Sequence, residues 1–220
     1  MIRAIIFDFD GLILETEGPS YQSWEAVYRS FGLDLPFSTW STIIGTTQGG
    51  FDPLFELQKQ VQGKVEWEAV ELQRQASEQA LIEAQPLLPG VLQYMQDARR
   101  LGLKIGLASS SSCRWVMGHL NRLSLNGYFD CVCASDDVQR VKPHPELYQA
   151  VLHRLGIQAI EAIALEDSPN GIQAAKSAGV YCVAVPNPLT SQLNLSQADL
   201  VLSSLADLPL EQLLARVHAG

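Results

Sequence analysis

The sequence predicts an α/β protein in which a doubly wound parallel sheet carries an inserted all-helical cap domain. Two observations support this prediction. Short apolar, β-rich runs alternate with helical patterns over the C-terminal two thirds of the 220 residues, a rhythm typical of helices packed on both faces of a parallel sheet. Between the first apolar run and the helix expected at Pro89 lie about eighty residues with helical periodicity and no strand signal.

The strands of this Rossmann-like sheet are predicted from apolar, β-rich runs at residues 4–7, 105–108, 131–134, 162–165 and 181–185. Proline and glycine residues typical of helix starts and ends lie between these runs. Pro89, Pro145 and Pro169 suit the first turns of helices, and Gly102, Gly156 and Gly179 suit helix ends. The sequence between these runs is therefore expected to form the helices of successive βα units.

The helical insertion is predicted over residues 16–85, which makes residues 1–15 and 86–220 the core domain. Apolar residues at three- and four-residue spacing indicate helices near 20–32, 50–63 and 67–83. The insertion holds ten acidic and four basic residues, an acidic excess of six. It is the acidic part of a chain whose net charge is −9.

Composition excludes several function classes. A net charge of −9 opposes binding to nucleic acid, which depends on clustered Lys and Arg. Charged residues interrupt the apolar N-terminus, and no later run is long enough to span a membrane. Four cysteines in or beside apolar runs, without a secretory signal, favour reduced thiols and a cytoplasmic location. We expect a monomer or weak dimer.

Polar residues that could carry chemistry follow the predicted strands. In a doubly wound sheet, ligands bind outside the carboxyl ends of the strands, so these side chains are expected to meet in one crevice. They are Asp8, Asp10, Gly11, Ser109, Lys142, Glu166 and Asp167.

Asp8 and Asp10 are two apart on an extended segment, so one carboxylate can attack while the other moves a proton. Glu166 and Asp167 complete an all-oxygen set of the kind that holds Mg²⁺ beside a phosphate. Each residue also has a plainer interpretation, as a helix cap or a solvated loop residue. Those interpretations leave unexplained why all of them occur at successive strand ends.

Four segments resemble, in order, the motifs of the haloacid dehalogenase-like superfamily. They are residues 7–13 (FDFDGLI), 107–110 (LASS), 141–145 (VKPHP) and 165–171 (LEDSPNG). The position of the helical insertion resembles the subgroup that includes β-phosphoglucomutases and sugar-phosphate phosphatases. This resemblance implies a phosphohydrolase with Mg²⁺ as cofactor and a small phosphorylated metabolite, such as a sugar phosphate, as substrate.

The resemblance also implies residue roles. Asp8 would be the nucleophile that forms an aspartyl phosphate, and Asp10 the general acid and base. Phosphate would be bound by Ser109, Ser110 and Lys142, together with backbone amides where Gly11 permits a tight turn. The resemblance assigns Mg²⁺ to Asp8, the backbone carbonyl of Asp10, Asp167 and, directly or through water, Glu166.

The cap bears on whether the chain is a hydrolase or a mutase. A β-phosphoglucomutase uses a cap His and a cap Arg for the phosphate that is not reacting, and by register this chain has Ser20 and Gln48 there. We therefore expect a hydrolase, with a mutase as the alternative. The candidates to face the substrate are Glu17, Ser20, Tyr21, Trp24, Gln48 and Arg74. Arg74 is the cation among them that could replace the missing charge. For Trp24, packing in the core of the cap is the alternative.

A third hypothesis is a catalytically silent interaction module. The intact acidic and lysine residues of the motifs oppose it.

Overall fold

The computed structural model describes residues 1–44 and 50–219, with side chains up to Val217. Its sheet is parallel throughout, in the order β3-β2-β1-β4-β5-β6. The strands are β1 Ala4–Phe7, β2 Lys104–Ala108, β3 Cys131–Cys133, β4 Ala162–Glu166, β5 Tyr181–Ala184 and β6 Leu200–Val201. This is the Rossmann strand order, and it confirms the predicted fold class. The sequence analysis missed β6, because two residues are too short for an alternating pattern.

Helices cover both faces of the sheet. They are α5 Val91–Arg100, α6 Cys113–Arg122, α7 Glu146–Leu155, α8 Pro169–Ser177 and α9 Leu210–Ala219. Along β1, Ile5 and Phe7 pack in one buried cluster with α5, α6 and α9, whereas Ala4 and Ile6 pack in a second with α7 and α8. Side chains of a strand alternate between faces, so a strand buried on both sides is apolar throughout.

The punctuation residues lie near their predicted places. Gly102, Gly156 and Gly179 follow helices with φ values of 72°, 64° and 78°, a region that glycine enters without steric cost. Pro169 opens α8. Pro89 is not in a first turn, because Gly90 occupies the position before α5 with φ 86°.

The insertion is helical over its described part. It contains α1 Glu17–Ser30, α2 Phe37–Trp40, α3 Pro53–Gln60 and α4 Trp67–Glu83, around a buried cluster of its own. The two connections to the core run side by side, with a bridge between Leu14 and Leu87 and a bond from the Leu88 amide to the Ile13 carbonyl (3.1 Å). The boundaries between core and insertion at residues 15 and 86 stay a prediction, and these paired connections lie close to them.

None of the helices in the described ranges is both long and apolar enough to cross a membrane.

Candidate active site

Residues that follow three strands meet at the carboxyl edge of the sheet. Asp8 follows β1, Ser109 follows β2, and β4 ends at Glu166 with Asp167 next. The Asp8 amide still donates to the carbonyl of Leu165 (3.0 Å), so the strand ladder fixes its position. A cavity of about 270 Å³ opens there, and the predicted site residues that line it on the core side are Asp8, Asp10, Ser110, Lys142 and Asp167.

Lys142 connects two of the carboxylates. Its Nζ lies 2.5 Å from Asp8 Oδ1 and 2.6 Å from Glu166 Oε1, and the lysine is 2% exposed. Tyr148 of α7 donates its hydroxyl to the same Glu166 oxygen. Because an ion pair buried this deeply needs all its hydrogen bonds, this arrangement is expected to be rigid.

Burial raises the pKa of the Asp8 carboxyl to about 8, although the Lys142 ammonium opposes the shift. Burial also raises the pKa of Asp167 well above its ordinary value, and the nearby Asp8 and Glu166 carboxylates add to the effect. For Lys142, burial alone would lower the pKa, but Asp8 and Glu166 outweigh it and raise the value. The site thus holds more carboxyl groups than its lysine alone can keep ionised.

A divalent cation fits this excess. Asp8, Glu166 and Asp167 each offer an oxygen within 4.8 Å of the others. Glu166 Oε2 is buried and has no hydrogen-bond partner within the described part of the chain. Three buried carboxylates face the single Lys142 ammonium there, and uncompensated buried charge is costly. These oxygens could hold a divalent metal ion, and hard oxygen donors suit Mg²⁺.

Two glycines allow the carboxylates to come this close. A Cβ at Gly11, whose φ is 80°, would lie 2.2 Å from Asp167 Oδ2, and one at Gly171 would lie 1.8 Å from Glu166 Oε2. Asn187 orients Asp167 by donating its Nδ2 to Oδ2 (3.0 Å). Side-chain size at these positions therefore controls the geometry of the cluster.

Asp10 points its carboxylate away from this cluster. Its Oδ1 accepts from Thr16 Oγ1 and Trp115 Nε1, both at 3.0 Å, and its Oδ2 accepts from Ser111 Oγ at 2.6 Å and Ser109 Oγ at 3.4 Å. The Asp10 side chain is therefore not a member of the metal-binding group. It is held at the cavity wall, where a group that moves protons would be needed.

Thr16 precedes α1 but makes no side-chain cap, since its hydroxyl is used on Asp10. The helix start is capped instead by Glu15, whose Oε1 accepts from the Gly18 amide (2.9 Å). Thr16 thus links the first residues of the insertion directly to a core carboxylate.

The four serines at 109–112 make different contacts. Ser112 caps α6, with its Oγ accepting from the Trp115 amide (3.3 Å). Ser109 is fully buried and accepts from the Ser111 amide (3.0 Å). Ser110 lines the cavity, and within the described ranges its buried Oγ has no partner. Of the two predicted phosphate-binding serines, Ser110 is the one with an available hydroxyl.

The insertion supplies the opposite wall of the cavity. Thr16 lies on it together with Glu17 and Ser20, which are two of the predicted substrate-facing residues. The sequence analysis missed the other cap residues on this wall, which are Trp40, Ile43, Glu78 and Ile82. Gln48, another of the predicted substrate-facing residues, lies outside the described residues.

Arg74 does not occupy the place expected of a substrate contact. It is 8% exposed, absent from the described cavity lining, and paired with Glu71 (2.7 Å) and Glu78 (2.5 Å). Its guanidinium also stacks over Trp24, 4.5 Å from the ring centroid. Trp24 belongs to the buried cap cluster, and Tyr21 donates its hydroxyl to the Leu35 carbonyl (2.8 Å). Local pairing and packing thus account for all three residues.

Sequence reasoning also missed three core residues that hold the site together: Trp115, Tyr148 and Asn187. Each acts through a hydrogen bond to a residue more than fifteen positions away. No local spacing rule predicts such pairs.

Comparisons show which known proteins this chain resembles. The candidate phosphatase YhcW of Bacillus subtilis is 42% identical over 219 residues, covering 100% of this chain and 99% of that protein. Hexitol phosphatase B of Escherichia coli is 32% identical and covers 97% of each chain. A β-phosphoglucomutase structure from Clostridium difficile superposes with a TM-score of 0.78 at 26% identity, covering 100% of this chain and 98% of the other.

A family model for haloacid dehalogenase-like hydrolases matches residues 5–185, which carry all the carboxylates and the lysine described above. The chain therefore belongs to the haloacid dehalogenase-like hydrolase family.

Proposed function

We propose that this chain is a Mg²⁺-dependent phosphatase that hydrolyses a small phosphorylated metabolite, a sugar phosphate, through an aspartyl phosphate on Asp8. The observation that carries the proposal is the contact of Lys142 with both Asp8 and Glu166, beside Asp167 and at the floor of the cavity. The names of the relatives, a candidate phosphatase and a hexitol phosphatase, support the same reaction class.

We assign each step of the proposed reaction to one of these groups. Asp8 attacks phosphorus, so its Oδ–P bond forms as the bond to the leaving oxygen breaks. Asp10 gives that oxygen a proton and then takes one from the water that hydrolyses the aspartyl phosphate. The Lys142 ammonium and the Ser110 hydroxyl can donate to the phosphoryl oxygens. A Mg²⁺ ion held by Asp8, Glu166 and Asp167 would neutralise charge on the transferring group.

Hydrolysis rather than mutase chemistry is favoured by the cap wall. A mutase must hold a second phosphate, and the cap residues on the described wall include Glu17 and Glu78 but no cation. The resemblance to a β-phosphoglucomutase structure keeps the mutase as the alternative. Incubation with β-glucose 1-phosphate and catalytic bisphosphate separates the two reactions: we expect free phosphate, and rapid conversion to glucose 6-phosphate would favour the mutase.

The decisive test is Asp8→Asn. An amide is a poor nucleophile and metal ligand, so we expect phosphate release from p-nitrophenyl phosphate with Mg²⁺ to fall to background. Asp207→Asn, a change outside the site, is the matched control and should keep full activity. Normal turnover by the folded Asp8 variant, or full wild-type activity in excess chelator, would refute the proposal.

A further inference from the structure

The two walls of the cavity differ in charge. The core wall carries the Lys142 ammonium, whereas the described cap wall carries two carboxylates, Glu17 and Glu78, among neutral and apolar side chains. The part of a substrate that faces the cap therefore meets a negative wall.

Glu78 is held in place by the helix that carries it. Arg74, Glu78 and Ile82 are spaced by four residues along α4 and so share one face of it. Arg74 Nη1 donates to Glu78 Oε2 at 2.5 Å and to Ser23 Oγ at 3.1 Å, which ties the carboxylate to α1. Within the described residues Glu78 Oε1 accepts no hydrogen bond, so it can accept one from a ligand.

The positive charge of Arg74 has a partner other than Glu78. Glu71 already binds the guanidinium at two points, from Nε to Oε2 at 3.0 Å and from Nη2 to Oε1 at 2.7 Å. Arg74 and Glu71 together are neutral, so Glu78 leaves the group with one negative charge. That charge lies at the cavity, which Glu71 does not line.

We infer that Glu78, with Arg74 as its positioning residue, is a specificity determinant that selects a neutral, polyhydroxylated leaving group and rejects a second phosphate. The inference rests on the proposed phosphatase function. A carboxylate only accepts hydrogen bonds, so it recognises hydroxyl groups and repels an anion. The apolar Trp40 and Ile82 on the same wall suit the carbon skeleton of such a group.

The test compares monophosphates with bisphosphates of the same carbon skeleton. A panel of hexose, pentose and hexitol monophosphates is assayed with Mg²⁺, and p-nitrophenyl phosphate reports turnover independently of sugar recognition. In the wild type we expect kcat/KM for the best monophosphate to exceed that for its bisphosphate by at least about tenfold, through like-charge repulsion in a partly desolvated cavity.

Glu78→Gln should narrow that preference by about tenfold, because it removes the charge and keeps the shape. The matched control, Glu68→Gln, removes the same charge from an exposed position of α4 outside the described cavity lining, and it should leave the preference within about twofold. Thermal melts check that both variants fold.

The outcomes separate the two claims. Absence of turnover of p-nitrophenyl phosphate and of every monophosphate in the panel by the wild type refutes the proposed function. Turnover with equal or better use of bisphosphates refutes the specificity inference alone, and this comparison needs no variant. Equal effects of the two glutamine substitutions would show that the preference follows the overall charge of the cap and not Glu78 at the cavity, which also refutes the inference.

Discussion

Trp115 offers a sharp test of how Asp10 is held. The Trp115 indole donates to Asp10 Oδ1 at 3.0 Å and contacts His119 edge to face, with ring centroids 4.4 Å apart. Trp115→Phe removes the N–H donor and keeps an aromatic ring at that position. The substitution therefore leaves one acceptor position of Asp10 without its partner, while an aromatic ring still fills the position.

The size of the effect follows from the other donors. A hydrogen bond to a charged group contributes about 1.5–3 kcal/mol. Asp10 keeps Thr16 on the same oxygen and Ser111 on the other, so the lower end applies. Since about 1.4 kcal/mol corresponds to tenfold in rate, we expect kcat/KM to fall by about tenfold. Most of the loss should appear in kcat, because the role proposed for Asp10 is to move protons rather than to bind substrate.

The assay is phosphate release from p-nitrophenyl phosphate with saturating Mg²⁺. Trp67→Phe is the control, since Trp67 is a half-buried cap residue that packs on Phe31 (5.5 Å between centroids) outside the site. The Mg²⁺ concentration for half-maximal activity should stay unchanged in Trp115→Phe, because the indole does not touch the three-carboxylate cluster. Unchanged kcat in a folded variant, or a shift in Mg²⁺ dependence alone, would refute the reasoning.

Two further predictions concern stability. Gly171→Ala would place a Cβ 1.8 Å from Glu166 Oε2, so we expect a loss of about 1–3 kcal/mol and a Tm lower by roughly 2–10 °C. A Cβ at Gly118 of α6 meets nothing within 4 Å, so Gly118→Ala should be neutral or stabilising, and equal melting of the two variants would contradict the argument. The second prediction concerns pH. Burial raises the pKa of Asp8 from 3.8 to about 8, so the folded state binds more protons than the unfolded state between these pH values. The metal-free protein should therefore lose stability as pH rises from about 4 to 8. Mg²⁺ should raise Tm more at pH 8 than at pH 6, since binding needs the carboxylate form of Asp8. Asp8→Asn should weaken the pH dependence of stability and that of the Mg²⁺ effect. An increase in Tm with Mg²⁺ that does not depend on pH would contradict the prediction.

The sheet and the core of the site were predictable because both follow from short-range patterns. Strands buried on two faces are apolar throughout, and β1 shows this as an unbroken run of buried residues. Parallel strands bring their carboxyl ends to one edge, so residues that directly follow them, such as Asp8 and Asp167, had to meet. The motif order therefore carried three-dimensional information without any knowledge of packing.

The supporting residues were not predictable on the same grounds. Tyr148 lies on α7 at a position that reads as ordinary helix core, and it is fully buried as that pattern requires. Only the fold shows that its hydroxyl reaches Glu166. Asn187 follows β5 in a loop, where turn formation explains it equally well, and its Oδ1 does accept from the Thr190 amide (2.9 Å).

Arg74 is a different case, because the sequence contained the correct signal. Glu71 and Glu78 lie three residues before it and four after it on a predicted helix, which is the spacing of helical ion pairs. Local pairing had a lower conformational cost than reaching across the cavity to a phosphate. The arginine expected to supply charge to the substrate instead positions a carboxylate on the cavity wall.

The groups proposed for chemistry and those proposed for substrate selection are held by different parts of the fold. The carboxylates proposed for chemistry lie at or just after strand ends, and a bond from the Asp8 amide to the Leu165 carbonyl continues the pairing of β1 with β4. The groups proposed for selection lie on α4 and are fixed by bonds within one helix and to α1. Since the two sets share few contacts, substitutions in one should combine almost additively with those in the other. Thr16 and Trp115 are the exceptions, because both touch Asp10 and line the cavity. Changes at these two positions should therefore alter turnover and substrate preference together.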